Sequence, residues 1–245
     1  MKKQAVAFLL LFTVLCLAAC SKKDDQLGGS GPDNISKQFS YVMGLEIVGT
    51  LEKLETVTLD REAFLKGIND ALDGNPPMLS PLQMQTVKAI VSEQERALRN
   101  KQIMALAEKN LKEQKAFLEQ NRKKKGVVVT KSGLQYVVLK KGDGPRPGPT
   151  DIVKINMTGK LLDGTVFDST YQRGGPVWVK VKGTIPAWEE ALTLMNVGSK
   201  YRFFIPSKLA HGKKGNFMEG GIIGPNAMLI MDIELLEIKK DKSAS

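Results

Sequence analysis

The spacing of the apolar residues changes near Gly126, and no other feature of the sequence restricts the possible folds as strongly. From Asn34 to about Lys125 the apolar residues recur at steps of three and four, the spacing of one face of an α-helix. From Gly126 onward they alternate with polar residues at a period of two, which is typical of strands. We therefore predict a helical region over 34–125, followed by an α+β domain over 126–245.

Three helices are predicted in the first region. Asp60 is a suitable N-cap for the short second helix, and Gly74 can end it. Three helices of which one is mostly polar bury little apolar surface, so we expect the region to form a homodimer. Ser40, Gly44 and Gly49 could allow two helices to approach closely, or the glycines could simply be tolerated. The apolar stripe of the first helix consists of Ile35, Phe39, Val42, Met43, Ile47, Leu51 and Leu54.

The third helix is predicted to be long. Ser80, Pro81 and Gln83 match a helix start, with a capping serine, proline in the first turn and glutamine three residues after the cap. Neither Gly nor Pro occurs from Leu82 through Lys125, so one helix of about 44 residues, about 66 Å long, is possible. Its second half is polar nearly all round, and we interpret this half as a stalk that bridges solvent between two domains.

The second region is predicted to be an antiparallel sheet packed on one short helix. The helix spans Pro186 to Met195 and carries Trp188 on its apolar face. Asp163-Gly164 is a hairpin turn signal between two short strands. The remaining strands are predicted at 134–139, 151–157, 201–205 and 228–236.

The first 33 residues resemble the leader of a lipoprotein. Residues 1–19 have a positive start and an apolar run too short for a comfortable membrane span, which is the form of a signal peptide. Leu17-Ala18-Ala19-Cys20 resembles a lipobox, which implies lipidation of Cys20 and anchoring in the bacterial envelope. An ordinary signal cut after a small-residue site is the alternative. Residues 20–33 are predicted to be a flexible tether, and Ser21 favours the outer membrane.

Composition excludes most kinds of enzyme chemistry. The chain has one His and two Cys, and it contains no phosphate-binding glycine motif and no nucleophile elbow. We therefore expect no metal and no cofactor. The formal net charge of +10 weakly suggests an anionic partner, but we interpret the basic residues as solvated surface and expect no nucleic acid. Rotation about an X-Pro bond is one reaction that needs neither nucleophile nor metal, because no bond is made or broken.

Several stretches of the second region resemble the FKBP-type, macrolide-binding peptidyl-prolyl isomerases. The resemblance implies the FKBP-like fold, in which a half-barrel sheet wraps on one short helix. The helical region also resembles that of the macrophage infectivity potentiator branch, whose members are dimeric secreted or surface proteins. The matching stretches are SGLQY at 132–136, DGTVFDS at 163–169, TIPAW at 184–188, GSK at 198–200, IGPN at 223–226, SYVMG at 40–44 and FLKG at 64–67.

The resemblance also assigns residues to a site that binds proline. Trp188 corresponds to the floor under the proline ring, and Asp168 corresponds to the carboxylate that polarises the pocket. The backbone N–H of Ile185 corresponds to a donor to a substrate carbonyl. Further residues implied in the site are the aromatic walls Phe167 and Trp178, Thr184 beside Ile185, and the flap residues Ile222 and Ile223.

Three positions depart from the family pattern. Met157 and His211 stand where the family usually has Tyr, and Met231 stands where Phe is common. The two methionines keep the pocket apolar but more deformable. We hypothesise that the imidazole of His211 donates a hydrogen bond to the substrate.

The resemblance implies an isomerase that assists the folding of proline-containing proteins outside the cytoplasm, with macrolides as possible ligands. One alternative is a chaperone or binding module on the same scaffold with vestigial activity. Another is a surface protein that interacts with a host.

Overall fold

The computed structural model describes residues 32–182, 185–216 and 221–240, which belong to two compact units divided between Met78 and Leu79. The described helices are α1 (Pro32–Leu51), α2 (Arg61–Asp73), α3 (Pro81–Asn121) and α4 (Pro186–Leu194), with a 3₁₀ helix at Ser207–Leu209. The described strands are β1 (Val128–Val129), β2 (Gln135–Lys140), β3 (Ile152–Lys160), β4 (Val166–Ser169), β5 (Val177–Lys180), β6 (Lys200–Ile205) and β7 (Leu229–Lys239). The predicted signal peptide and Cys20 lie outside the described residues.

The first unit, in its described part, consists of α1 and α2. The Ala63 N–H donates to the Asp60 side chain at 2.8 Å, and Gly74 follows α2 with a φ of 73°, so both predicted ends of α2 are confirmed. Large apolar side chains on both helices are exposed, among them Phe39 at 63% and Leu72 at 80%. The unit therefore presents an apolar surface to the solvent.

The long third helix is confirmed. The Ser80 side chain accepts from the Gln83 N–H, and the Gln83 side chain accepts from the Ser80 N–H, which completes the predicted capping box. The helix has 41 residues and is therefore about 62 Å long. No described helix combines the length and the apolar character needed to cross a membrane.

The second half of α3 packs against the sheet domain, although its composition suggested a helix surrounded by solvent. Asn121 is buried, and its amide nitrogen donates to the Gln135 side chain at 3.0 Å. Gln135 in turn donates to the Leu118 carbonyl at 2.9 Å. The rings of Phe117 and Phe204 lie 5.6 Å apart. Polarity therefore misled the interpretation here, because the buried polar groups are satisfied by hydrogen bonds.

The sheet is antiparallel, with the strand order β1-β2-β6-β7-β3-β4, and β5 pairs with β3 beyond this path. Buried and half-buried residues alternate along β3, as the period-two pattern predicted. The predicted turn at Asp163-Gly164 is confirmed, since Gly164 has a φ of 91° and the Leu161 N–H donates to the Thr165 carbonyl at 2.8 Å. The sequence analysis missed β1 and β5. Both strands are short and lie at the periphery of the sheet, so few residues are available to show a strand pattern.

The core lies between the sheet and α4. Helix α4 contributes three buried residues, Ala187, Ala191 and Leu192, and it begins with a proline at its first turn, as predicted. The sheet contributes residues that alternate along β3, β6 and β7. Fully enclosed members of this core are Val153, Ile155, Phe203, Ile233 and Leu235.

Asp151 is a buried carboxylate immediately before β3. It accepts a hydrogen bond from the Gly148 N–H at 2.9 Å and forms an ion pair with Lys240 at 2.9 Å. Both contacts lower the pKa of Asp151, and the hydrogen bond from the Gly148 backbone has the larger effect. Because the folded pKa lies below that of the unfolded chain, the carboxylate stabilises the fold above pH 4. This contribution is lost as the pH falls through the folded pKa.

We predict that Asp151→Asn lowers the free energy of unfolding at pH 7 by about 1–3 kcal/mol, since it removes the charged partner of two part-buried hydrogen bonds. The difference from the wild-type protein should shrink at pH 3, where the wild-type carboxylate loses its advantage. Urea unfolding at the two pH values measures both effects. Asp143→Asn, at an exposed position of the same loop, is the control. A difference that is equal at both pH values would contradict the electrostatic explanation.

Candidate active site

An open cavity of about 450 Å³ lies at one end of the core. Its walls are mainly apolar, and the side chains that bring polar groups to it are Asp168, His211 and Asn216. A cavity of this size and character suits a small apolar ring with a few polar anchoring points. The complete lining is Met157, Phe167, Asp168, Ile185, Trp188, His211, Asn216, Ile223, Leu229 and Met231.

The strands place one wall of the cavity. Met157 on β3 and Met231 on β7 are buried and also belong to the core. Phe167 on β4 lies against Gly159 of β3, where any Cβ would overlap the phenyl ring. A glycine at this position is therefore what permits the tip of the ring to lie against β3 beside the cavity.

Helix α4 places the floor. Ile185 is the N-cap residue of α4, and its carbonyl accepts a hydrogen bond from the backbone N–H of Trp188 at 2.9 Å. Trp188 therefore lies one turn after Ile185 along the helix. Trp188 is half-buried and borders both the core and the cavity. Thr184, which the sequence analysis assigned to the site, lies outside the described residues.

Asp168 forms a two-point ion pair with Arg173. The Arg173 Nε lies 3.0 Å from Oδ1, and Nη2 donates to Oδ2 at 3.1 Å. The Asp168 side chain is 33% exposed, so it lies at the mouth of the cavity and not deep inside. The sequence analysis missed Arg173, although its position five residues after Asp168 was a usable signal for an ion pair across a turn.

The loop between β6 and β7 places the remaining polar groups. His211 is half-buried and follows the 3₁₀ helix. Asn216, which the sequence analysis also missed, accepts from the Ile223 N–H through its side chain at 2.8 Å and donates through its own N–H to the Ile223 carbonyl at 2.9 Å. These two bonds hold Ile223, which is 2% exposed, at the cavity wall.

Two of the assigned residues do not line this cavity. Trp178 is 47% exposed, and the Lys154 ammonium lies 5.7 Å from its ring centroid. Alternation along β5 explains this, because half-buried Val177 and Val179 occupy the other side of the strand. Ile222 is 50% exposed and borders a separate cleft beside α3.

The described residues contain no group of three or more His, Cys, Asp or Glu side chains that could hold a metal ion. The cavity holds one carboxylate and one imidazole, and the carboxylate is already paired with Arg173. This arrangement can hold and orient an amide.

Comparison with known proteins gives consistent results along most of the chain. Residues 36–138 match the domain amino terminal to FKBP-type peptidyl-prolyl isomerase, and residues 144–236 match the FKBP-type peptidyl-prolyl cis-trans isomerase domain. The FKBP-type 22 kDa peptidyl-prolyl cis-trans isomerase of Escherichia coli (strain K12) is 42% identical over 206 residues, which cover 84% of this chain and 97% of that protein. Outer membrane protein MIP of Legionella longbeachae is 38% identical over 203 residues, which cover 83% and 85%. The crystal structure of FkpA from Escherichia coli matches with a TM-score of 0.67 at 29% identity, over 87% of this chain and 99% of that one.

An antiparallel sheet packed on a short helix, with an apolar cavity bordered by one carboxylate, is the arrangement expected of an FKBP-type prolyl isomerase. This chain belongs to the FKBP-type peptidyl-prolyl cis-trans isomerase family and has its amino-terminal helical domain. The family resemblance, the fold class and the enzymatic activity predicted from the sequence are therefore confirmed.

The two tryptophans provide a direct test of the cavity. We predict that Trp188→Ala lowers kcat/KM for an X-Pro peptide by roughly 10- to 100-fold, because the proline ring loses its supporting surface. Trp178→Ala, which removes an exposed indole outside the cavity, should change kcat/KM by less than about twofold, within the small effects expected of surface substitutions. A protease-coupled assay measures the rates, and circular dichroism verifies that both variants fold. Equal losses in the two variants would contradict this location for the site.

Proposed function

We propose that this isomerase assists the folding of proline-containing proteins in the bacterial envelope, and that the cavity beneath Asp168 is where the X-Pro bond rotates. The observation that carries the proposal is the cavity itself, whose apolar walls combine with a carboxylate, an imidazole and an amide side chain. The test of its location is the comparison of Trp188→Ala with Trp178→Ala. Because the walls accept an apolar ring, macrolides are further candidate ligands.

The proposed mechanism is the stabilisation of a twisted amide. Rotation about a peptide bond has a barrier of about 18–20 kcal/mol because resonance keeps the amide planar, and X-Pro bonds exchange unaided in tens to hundreds of seconds. Water that is hydrogen-bonded to the carbonyl favours the planar form. Apolar walls such as Met157 and Met231 exclude that water, so the twisted form becomes relatively more stable in the cavity.

Each polar group has a proposed part in binding. Trp188 and Phe167 hold the proline ring, and the Ile185 N–H donates to a neighbouring carbonyl of the peptide. Asp168 orients the amide by its field, and Arg173 keeps the carboxylate in place through two bonds.

His211 is proposed to donate a hydrogen bond to the substrate carbonyl. We predict that His211→Ala lowers kcat/KM by about three- to tenfold, which corresponds to the loss of one hydrogen bond. Exchange measured by NMR on a proline peptide gives the rates without a coupling protease. An unchanged His211→Ala rate would exclude this role.

We further propose that the helical region makes the protein a homodimer. The supporting observation is the exposed apolar surface of α1 and α2, together with the match to the amino-terminal domain of this family. Pairing would cover side chains such as Phe39, Val42 and Leu72 that the described chain leaves exposed.

We predict that Phe39→Glu shifts the protein from dimer to monomer, because a carboxylate would have to be buried in the interface. Lys37→Glu, which places the same side chain on the opposite side of α1, is the matched control and should stay dimeric. Light scattering after size-exclusion chromatography gives the mass, with 26.9 kDa for one chain. A wild-type protein that is monomeric at micromolar concentration would refute the proposal.

The proposed location is the cell envelope, with Cys20 as a lipid anchor. The support is the lipobox-like sequence before Cys20 and the relative from Legionella longbeachae, whose name describes an outer membrane protein. Labelling with a fatty acid analogue in the cell should mark the wild-type protein and not Cys20→Ser, and an unlabelled wild-type protein would exclude the anchor.

A further inference from the structure

One side of α3 contacts the isomerase domain with polar groups. The residues of this side follow one another at steps of three and four, so they form a single face of the helix. The Asn110 amide donates to the Pro225 carbonyl at 2.8 Å, and the Ala107 carbonyl accepts from the Asn226 side chain at 3.2 Å. Contact is close as well as polar, since a Cβ at Gly224 would lie 3.1 Å from a Leu106 methyl carbon.

Gln114 lies at the centre of this face and is 5% exposed. Its amide nitrogen donates to the Ser207 hydroxyl at 3.0 Å and to the Asn226 carbonyl at 3.1 Å. Its amide oxygen accepts from the Ser207 N–H at 3.1 Å. One side chain therefore binds two points of the sheet domain at once.

These two points are the two ends of the loop that supplies part of the cavity wall. Ser207 begins the loop and Asn226 comes near its end, and between them lie the cavity residues His211, Asn216 and Ile223. The ends are also joined to each other, because the Ser207 carbonyl accepts from the Gly212 N–H at 2.8 Å and the Gly212 carbonyl accepts from the Asn226 N–H at 2.9 Å. Gln114 thus closes the base of the active-site loop from outside.

We propose that Gln114 is a positioning residue for the isomerase reaction, and that α3 is a working part of the enzyme and not only a connection. Gln114 has no contact with the cavity and acts through the loop that carries His211 and Ile223. Its removal takes the hydrogen-bond partner from the buried Ser207 N–H and from the half-buried Asn226 carbonyl, and the base of the loop can then open. A displacement of about 1 Å at reacting groups is enough to reduce a rate severely. The proposal rests on the assignment of the cavity given above.

The test compares three variants of the otherwise unchanged protein. Gln114→Leu removes all three hydrogen bonds while keeping a similar volume. Gln114→Glu keeps an acceptor for the Ser207 N–H but cannot donate to the Asn226 carbonyl. Gln120→Leu makes the same change at an exposed position of the same helix and is the matched control. A Trp178→Phe background leaves Trp188 as the fluorophore, so its emission reports on the cavity.

We expect Gln114→Leu to lower kcat/KM by roughly 3- to 30-fold, the range of coupling through a packed network, with most of the loss in kcat. Gln114→Glu should lie between Gln114→Leu and the wild-type protein. Both should shift the Trp188 emission, and Gln120→Leu should change neither the rate nor the emission. All rates are compared at a temperature where circular dichroism shows every variant folded.

Two outcomes would overturn the proposal. If Gln114→Leu and Gln114→Glu lower the melting temperature but keep the wild-type kcat/KM and emission, Gln114 only stabilises the fold. If Gln120→Leu causes the same loss as Gln114→Leu, the contact with Ser207 and Asn226 is not the cause. Neither outcome would affect the cavity assignment, which depends on the separate comparison of Trp188→Ala with Trp178→Ala.

Discussion

The pairing of β3 with β7 is the interaction on which the rest of the isomerase domain depends. β7 lies between β6 and β3 and pairs with both, so alternate residues of three strands face the same side. Val153 and Ile233 are fully enclosed on that side by α4 and the sheet. Met157 and Met231 belong to the same core and also border the cavity. The cavity is therefore the end of the core that no side chain fills, and its apolar character follows from the alternation that stabilises the sheet.

The polar groups of the site come from elements that the sheet holds apart. β4 brings Asp168 and the turn after it brings Arg173, while the loop after β6 brings His211 and Asn216. The reaction requires few other catalytic groups, because a bond is rotated and none is broken. The apolar walls reduce the water around these polar groups, while Asp168 remains 33% exposed at the mouth of the cavity.

Helix α3 shows how a polar sequence can belong to a packed structure. Gln114 and Asn121 are among the most enclosed polar residues of the described chain, and each bonds to a group of the isomerase domain. The hydrogen bonds of such a polar contact are directional. The contact can therefore fix the position of a loop more sharply than apolar packing of the same area.

The sequence by itself determined what depends on neighbours within a few residues. The caps at Asp60 and Ser80, the turn at Gly164 and the alternation along β3 all follow from local hydrogen bonding and side-chain direction, and the motifs around Asp168 were sufficient to indicate the family. Tertiary structure alone decided which residues meet. It directed Trp178 away from the cavity and brought Gln114 to Ser207 and Asn226, which lie 93 and 112 positions further along the chain. Such contacts are set by how the sheet, the loop and α3 pack in three dimensions, and residue spacing along the chain carries no information about that packing.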